Sequence, residues 1–203
     1  TPLFCQPLAL GVDVSIHAAT KYICGHSDVI MGTVTSNEAA WPRLRETFHQ
    51  YGLTTSPDDV YLAHRGLHSL AARLRQHTAT ALRLIEWLQA QPEVARILYP
   101  ALPADPGHAL WKRDMSGASG LFGIVLNPVS RERIAAMLDG MRLFGMGWSW
   151  GGFESLIIPT WPERVRTATQ WNPGGPVLRL HIGLEEPCDL IDDLAAGFAR
   201  LTA

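Results

Sequence analysis

The sequence predicts an α/β chain, and three observations carry that expectation. Short extended patterns alternate with longer helical ones from end to end, and glycines and prolines collect between them. Of the 203 residues, 47% are hydrophobic and 18% charged, the balance of a chain that buries a core, which excludes disorder and fibrous structure.

Taken in order, residues 11–16 alternate apolar and polar positions, and residues 29–35 read as a more deeply buried strand, with Lys21 on the turn between them. Helical spacing runs over residues 59–91, where Leu67, Leu70, Leu74, Leu82, Ile85 and Leu88 form an apolar stripe. Pro92 stops that helix, and Pro100, Pro103 and Pro106 mark a loop. A strand is expected over residues 121–127. Ser130 then begins a helix whose Ile134, Met137, Leu138 and Met141 fall at i, i+3, i+4 and i+7. Residues 177–184 alternate cleanly, with Leu178, Leu180, Ile182 and Leu184 on one face and Arg179 and His181 on the other, able to look into a cleft. A terminal helix follows Pro187 and carries Leu190, Leu194, Phe198 and Leu201 on its apolar face. The organisation expected is residues 1–58 as the end of one domain, 59–91 as a long linking helix and 92–203 as a small α/β domain.

Several function classes are excluded at this level. A formal net charge of -2 gives no electrostatic reason to expect nucleic acid or an anionic membrane as partner. No apolar run approaches the roughly 18 residues that span a bilayer, and the first residues lack a basic segment before an apolar one, so a cytoplasmic protein is expected. Cys5, Cys24 and Cys188 are odd in number and irregularly spaced, which suggests reduced thiols rather than disulfides or a metal site. His64 and His68 stand at i and i+4 but lack the carboxylate of H-E-x-x-H, and no metal is expected there. Gly145-Met146-Gly147 fits no dinucleotide register, and His49 and Tyr51 receive no role.

Lys21 carries the most chemistry. It lies in Ser15-Ile16-His17-Ala18-Ala19-Thr20-Lys21-Tyr22-Ile23-Cys24-Gly25-His26, at a strand end beside a hydroxyl and a glycine turn. An amine so placed suits a Schiff base with an aldehyde whose phosphate the same turn helps hold. Downstream come Arg65-Gly66-Leu67-His68-Ser69-Leu70 with Arg73 and His77, then Gly107-His108, Ser149-Trp150-Gly151-Gly152-Phe153-Glu154-Ser155 and Arg179-Leu180-His181-Ile182-Gly183-Leu184-Glu185. In this order the motifs closely resemble the Cys/Met-metabolism enzymes dependent on pyridoxal 5'-phosphate (PLP). That family contains cystathionine β- and γ-lyases, cystathionine γ-synthase and methionine γ-lyase, and the Ser-Trp-Gly-Gly version is similar to the bacterial β-lyases.

The resemblance implies the fold-type I, aspartate-aminotransferase-like architecture, here as part of the large PLP-binding domain plus the small C-terminal domain. It implies Lys21 as Schiff-base lysine and Cα base, Thr20 as a phosphate donor, Arg179 as receiver of the substrate α-carboxylate, and Ser149 and Trp150 as the substrate loop. Most of the family has serine where Ala18 stands, so one phosphate contact is lost. The reaction implied is β-elimination on an amino-acid thioether, with γ-elimination or γ-replacement as the family's alternative, in a homotetramer. The chain begins without methionine and, by the resemblance, inside a longer protein whose upstream part holds the phosphate turn. A non-catalytic fragment is therefore a further expectation.

Overall fold

Antiparallel pairing organises both sheets of the computed structural model, which describes residues 1–202. A two-stranded ribbon joins β1 (Val14–Ala18) to β2 (Gly32–Ser36), with Ile16 opposite Val34. The turn between them holds Lys21. Residues 29–35 are not the deeply buried strand that their apolar run suggests. Val29 is buried, but Ile30 is 93% exposed, Ile16 76% and Val34 48%. A lone ribbon has no second layer on its outer face, and that face stays open; helix α1 (Trp41–Gln50), which buries no residue, does not close it.

Helix α2 (Pro57–Gln89) runs for 33 residues, or about 50 Å at 1.5 Å per residue. Ser56 caps its first turn by accepting from the Asp58 amide, Pro57 fits the position that needs no N–H, and Asp58 and Asp59 favour the positive end of the dipole. Its C-terminal half packs Ala81, Leu84, Ile85 and Leu88 into the main core. The other half packs Ala63, Leu70 and Leu74 against the lysine turn. Leu67 and Leu82, which the periodicity placed on the same stripe, are exposed. At Leu82 the core-facing side is already occupied by its neighbours, and Leu67 lies where the helix has only the turn to pack on.

Beyond α2 follow β3 (Val94–Leu98), α3 (His108–Asp114), β4 (Leu121–Leu126), α4 (Arg131–Asp139), β5 (Leu156–Thr160), β6 (Val177–His181) and α5 (Pro187–Thr202). The strands form one sheet in the order β3-β4-β6-β5, so the last strand in sequence lies inside it. Leu178, Leu180 and Ile182 are completely buried with Ile124, Ile157, Leu190 and Leu194. Ser130 caps α4 as expected, accepting from the Arg133 amide. Strands β3 and β5 escaped the sequence reading. Arg96 interrupts the alternation of the first, and Pro159 lies within the second. No described helix is long and apolar enough to cross a membrane.

Gly66 shows how tightly α2 grips the turn. A Cβ there would lie 2.3 Å from the Ile23 carbonyl oxygen and 2.6 Å from that of Cys24. In an open helix Gly→Ala gains about 1 kcal/mol. Here two backbone oxygens would have to move, and Gly66→Ala is expected to destabilise by about 2 kcal/mol. Urea unfolding of the two proteins checks the sign; a more stable alanine variant would show that α2 and the turn are not in this contact.

Candidate active site

After β1 the backbone closes into helical turns, Lys21 N donating to Ala18 O at 3.1 Å, Cys24 N to Ala19 O at 2.8 Å and Gly25 N to Lys21 O at 2.8 Å. Gly25 ends them at φ +73, and Ser27 also takes the left-handed region at φ 58. Arg73 on α2 holds the turn from below. It is buried, donates through Nη2 to Ile23 O at 3.2 Å and Gly66 O at 2.9 Å, and through Nε to Ser69 Oγ at 3.0 Å. A Cβ on Gly25 would lie 2.0 Å from its Nη1. Cys24 is buried, and burial pushes its thiol up, as suits a packing residue rather than a nucleophile.

Four of the five residues singled out in the sequence come together. Lys21 Nζ donates to Ser149 Oγ at 2.8 Å and lies 4.5 Å from the centre of the Trp150 ring. Arg179, on β6, donates through Nη2 to Gly147 O at 3.1 Å and Ser149 O at 3.0 Å, with its guanidinium 5.7 Å from the same ring. The Trp150 ring thus lies close to two cations. It also packs on Tyr22, Leu70 and Leu74, as the core-anchor reading of this residue expects. Thr20 stands apart. Its hydroxyl donates to Met31 O at 3.2 Å and accepts from Met31 N at 2.9 Å, which ties the turn to the start of β2.

Gly151 brings the two segments into contact. At φ +80, its missing Cβ would fall 2.8 Å from Tyr22 N and 2.9 Å from Lys21 C. Gly151 therefore presses on the lysine peptide itself, whereas a Cβ on Gly152 would meet the side chains of Ser27 and Glu154. Below them lies a buried cluster that the sequence did not reveal as a unit. Tyr22 donates to Ser119 Oγ at 2.9 Å, and its ring meets His77 and His181 edge-on at 6.3 and 6.4 Å. His77 Nδ1 contacts Ile182 O at 2.8 Å. The alternation of β6 did put His181 on the Arg179 face, the one available signal.

Burial sets the charge states. Among the described residues the one ion pair is Arg113 with Asp114, so neither Lys21 nor Arg179 has a carboxylate within 4.0 Å. Desolvation lowers the Arg179 guanidinium from its ordinary value, and its Nε is buried without a partner. An unpaired donor on a half-buried cation is a place for an anion. Desolvation holds His181 neutral, down to about 4, with His77 and Arg179 adding to the effect.

A profile of the family described as Cys/Met metabolism PLP-dependent enzymes matches residues 1–199. The chain belongs to this family. PLP is the family's cofactor, and the fold is that of fold-type I. The Escherichia coli (strain K12) cystathionine β-lyase is 48% identical over 200 residues, covering 97% of this chain and 51% of that protein. An L-alanine/L-glutamate racemase of Wolbachia pipientis wMel is 44% identical, with 99% and 50% covered. The crystal structure of cystathionine γ-synthase from Xanthomonas oryzae pv. oryzae in complex with cystathionine superposes with a TM-score of 0.88 at 36% identity, covering 100% of this chain and 54% of that one. The chain thus spans about half the length of the relatives it matches.

A histidine whose folded pKa lies below its unfolded value of about 6.5 costs stability when solvent can protonate the unfolded chain. Its contribution is complete above about pH 6.5 and disappears as pH falls through about 4. The shift corresponds to on the order of 3 kcal/mol. Unfolding free energies between pH 4 and 7 should therefore fall more steeply with acid in the native chain than in His181→Phe. Equal slopes would mean that the ring is not held neutral by burial.

Proposed function

We propose that these residues serve a PLP-dependent carbon-sulfur lyase. It would cleave L-cystathionine, or related cysteine S-conjugates, by β-elimination with water to a thiol, pyruvate and ammonia. With L-cystathionine the thiol is homocysteine, a step of methionine biosynthesis. The observation that carries this reading is the convergence of Lys21, Ser149, Trp150 and Arg179, from segments up to 158 positions apart, around an amine and a guanidinium free of carboxylates. Residues 1–58 would complete the large domain, 59–91 link it and 92–203 form the small one. The uncovered apolar face of the ribbon and α1 suits burial under further chain or a neighbouring subunit, in line with a cytoplasmic homotetramer.

The donor set fits the cofactor at Lys21, whose amine is held by one neutral hydroxyl and opposed by no acid. When bound, the cofactor supplies an electron sink that acidifies the substrate Cα–H and lets the Cβ–S bond break. Lys21 Nζ is the base for the Cα proton. Ser149 Oγ fixes its direction at 2.8 Å, and the Trp150 face 4.5 Å away favours the ammonium formed when the proton arrives. Arg179 receives the α-carboxylate through donors that the loop carbonyls leave free, above all the unpartnered Nε, and so aims Cα–H at the lysine. Phosphate binding falls chiefly outside these residues, because Ala18 has no hydroxyl and that of Thr20 is engaged with Met31. Trp150, together with the similarity to β-lyases, supports β- over γ-chemistry.

The test supplies the other half by fusing residues 1–203 behind the N-terminal half of the Escherichia coli enzyme. Pyruvate should be released from L-cystathionine and be lost in Lys21→Ala. Arg179→Lys should raise KM on the order of 100-fold, because a point charge replaces a bidentate fork. Release of 2-oxobutyrate in place of pyruvate would overturn the β-elimination, and racemisation of alanine without thiol release would overturn the lyase.

A further inference from the structure

The substrate loop, residues 146–155, has almost no regular pairing of its own, yet it delivers Ser149 to Lys21 with hydrogen-bond accuracy. Three side chains from one short stretch at the end of β6 hold it, in matching order. Arg179 takes the carbonyls of Gly147 and Ser149, His181 meets Gly151 and Gly152, and Glu185 accepts from Ser155 N at 2.7 Å and Ser155 Oγ at 2.8 Å. Ser155 Oγ in turn accepts from Gly183 N at 2.8 Å, and Leu184 N donates to Phe153 O, so the loop and the strand end close on each other. Arg179 is committed in part to substrate, and Glu185 acts on the far side of the glycines. The middle contact is the one on the glycine that lies against the Lys21–Tyr22 peptide.

We propose that His181 is the positioning residue of this site, the brace that presses Gly151 onto the Lys21–Tyr22 peptide and thereby sets Ser149 and Trp150 against the amine. The imidazole is 1% exposed. Its Nε2 lies 3.0 Å from Gly151 N and 3.2 Å from Gly152 O, and its Nδ1 lies 3.4 Å from Gly151 N. A backbone N–H can only donate and a carbonyl can only accept, so the ring must offer one acceptor and one donor. Nε2–H donates to Gly152 O, and Gly151 N, close to both ring nitrogens at once, lies over the ring and turns its N–H to the electron-rich face of the neutral imidazole. A cationic ring would repel that N–H, and a hydrocarbon ring would lose the donor to Gly152 O. Tyr22 and His77 pack against the ring, with centres at 6.4 and 5.3 Å. His181 touches no reacting atom; it acts through the loop. Its consequence for Lys21 rests on the reading of Lys21 as the cofactor-bearing amine, whereas its grip on Gly151 does not.

The two are tested separately on the 203-residue chain. Amide hydrogen exchange at Gly151 reads the brace directly. It is expected to quicken about tenfold in His181→Phe, which keeps ring volume, and to return toward the native rate in His181→Asn, which restores one donor and one acceptor. Incubation with PLP, borohydride reduction and peptide mapping read the effect on the amine. Lys21 and Lys112 are the only lysines, so their labelling ratio should favour Lys21 in the native chain, drop about fivefold in the phenylalanine variant and recover with asparagine. Unchanged exchange and unchanged labelling in His181→Phe overturn the proposal. Equal labelling of the two lysines in the native chain would sink the cofactor reading instead, with exchange at Gly151 still deciding the brace. Should the phenylalanine variant not fold, a folded asparagine variant with fully unprotected Gly151 overturns the proposal as well.

Discussion

The buried guanidinium of Arg73 is the constraint on which the site depends. It occupies the space that a side chain on Gly25 would need and ties Ile23 to Gly66 and Ser69, so the lysine turn and α2 become one body. Leaving a cation in such a place is costly unless its donors are used, and three of its contacts are to groups fixed in the fold. Desolvation lowers it from its ordinary value, and among the described residues no carboxylate lies within 4.0 Å of it. Two carbonyls and the Ser69 hydroxyl take the bonds of Nη2 and Nε, while Nη1 stays buried without a partner.

With the turn anchored, the second half of the site arrives from the far end of the chain. Ser149 and Lys21 are 128 positions apart, and the loop that carries Ser149 rests on the turn through the bare backbone of Gly151. Closeness of this kind leaves little play, since a single methyl group would part the two segments. Packing on the Tyr22, Leu70 and Leu74 cluster then fixes Trp150, the one aromatic face shared by Lys21 and Arg179. Each contact is modest alone, and their common dependence on α2 makes them cooperative.

Much of this was legible in the sequence. The strand-turn position of Lys21, the cap at Ser130, the alternation of residues 177–184 and the apolar face of the last helix all depend on local patterns, and local patterns survive folding. Other features did not announce themselves. Ile16, Ile30 and Val34 read as buried because their spacing reports what a strand is built to bury, and not whether a covering layer belongs to the same 203 residues. Strand β3 was hidden by its bulge between Val94 and Arg96, and β5 by Pro159. The roles of Gly66, Arg73 and His77 are tertiary: a helical glycine and two polar residues on an apolar stripe look like interruptions until the turn they hold is in view.

Strand β6 lies between β4 and β5, with Leu178 and Leu180 toward the core and Arg179 and His181 toward the site. Because faces alternate at every residue, a slip of one position in either ladder would drive both polar side chains into the core and turn the leucines outward. The holds of Arg179 and His181 on the loop would vanish in the same event. The pairing that closes the sheet is thus the same pairing that sets Arg179 and His181 against the loop, so sheet and site form or fail together.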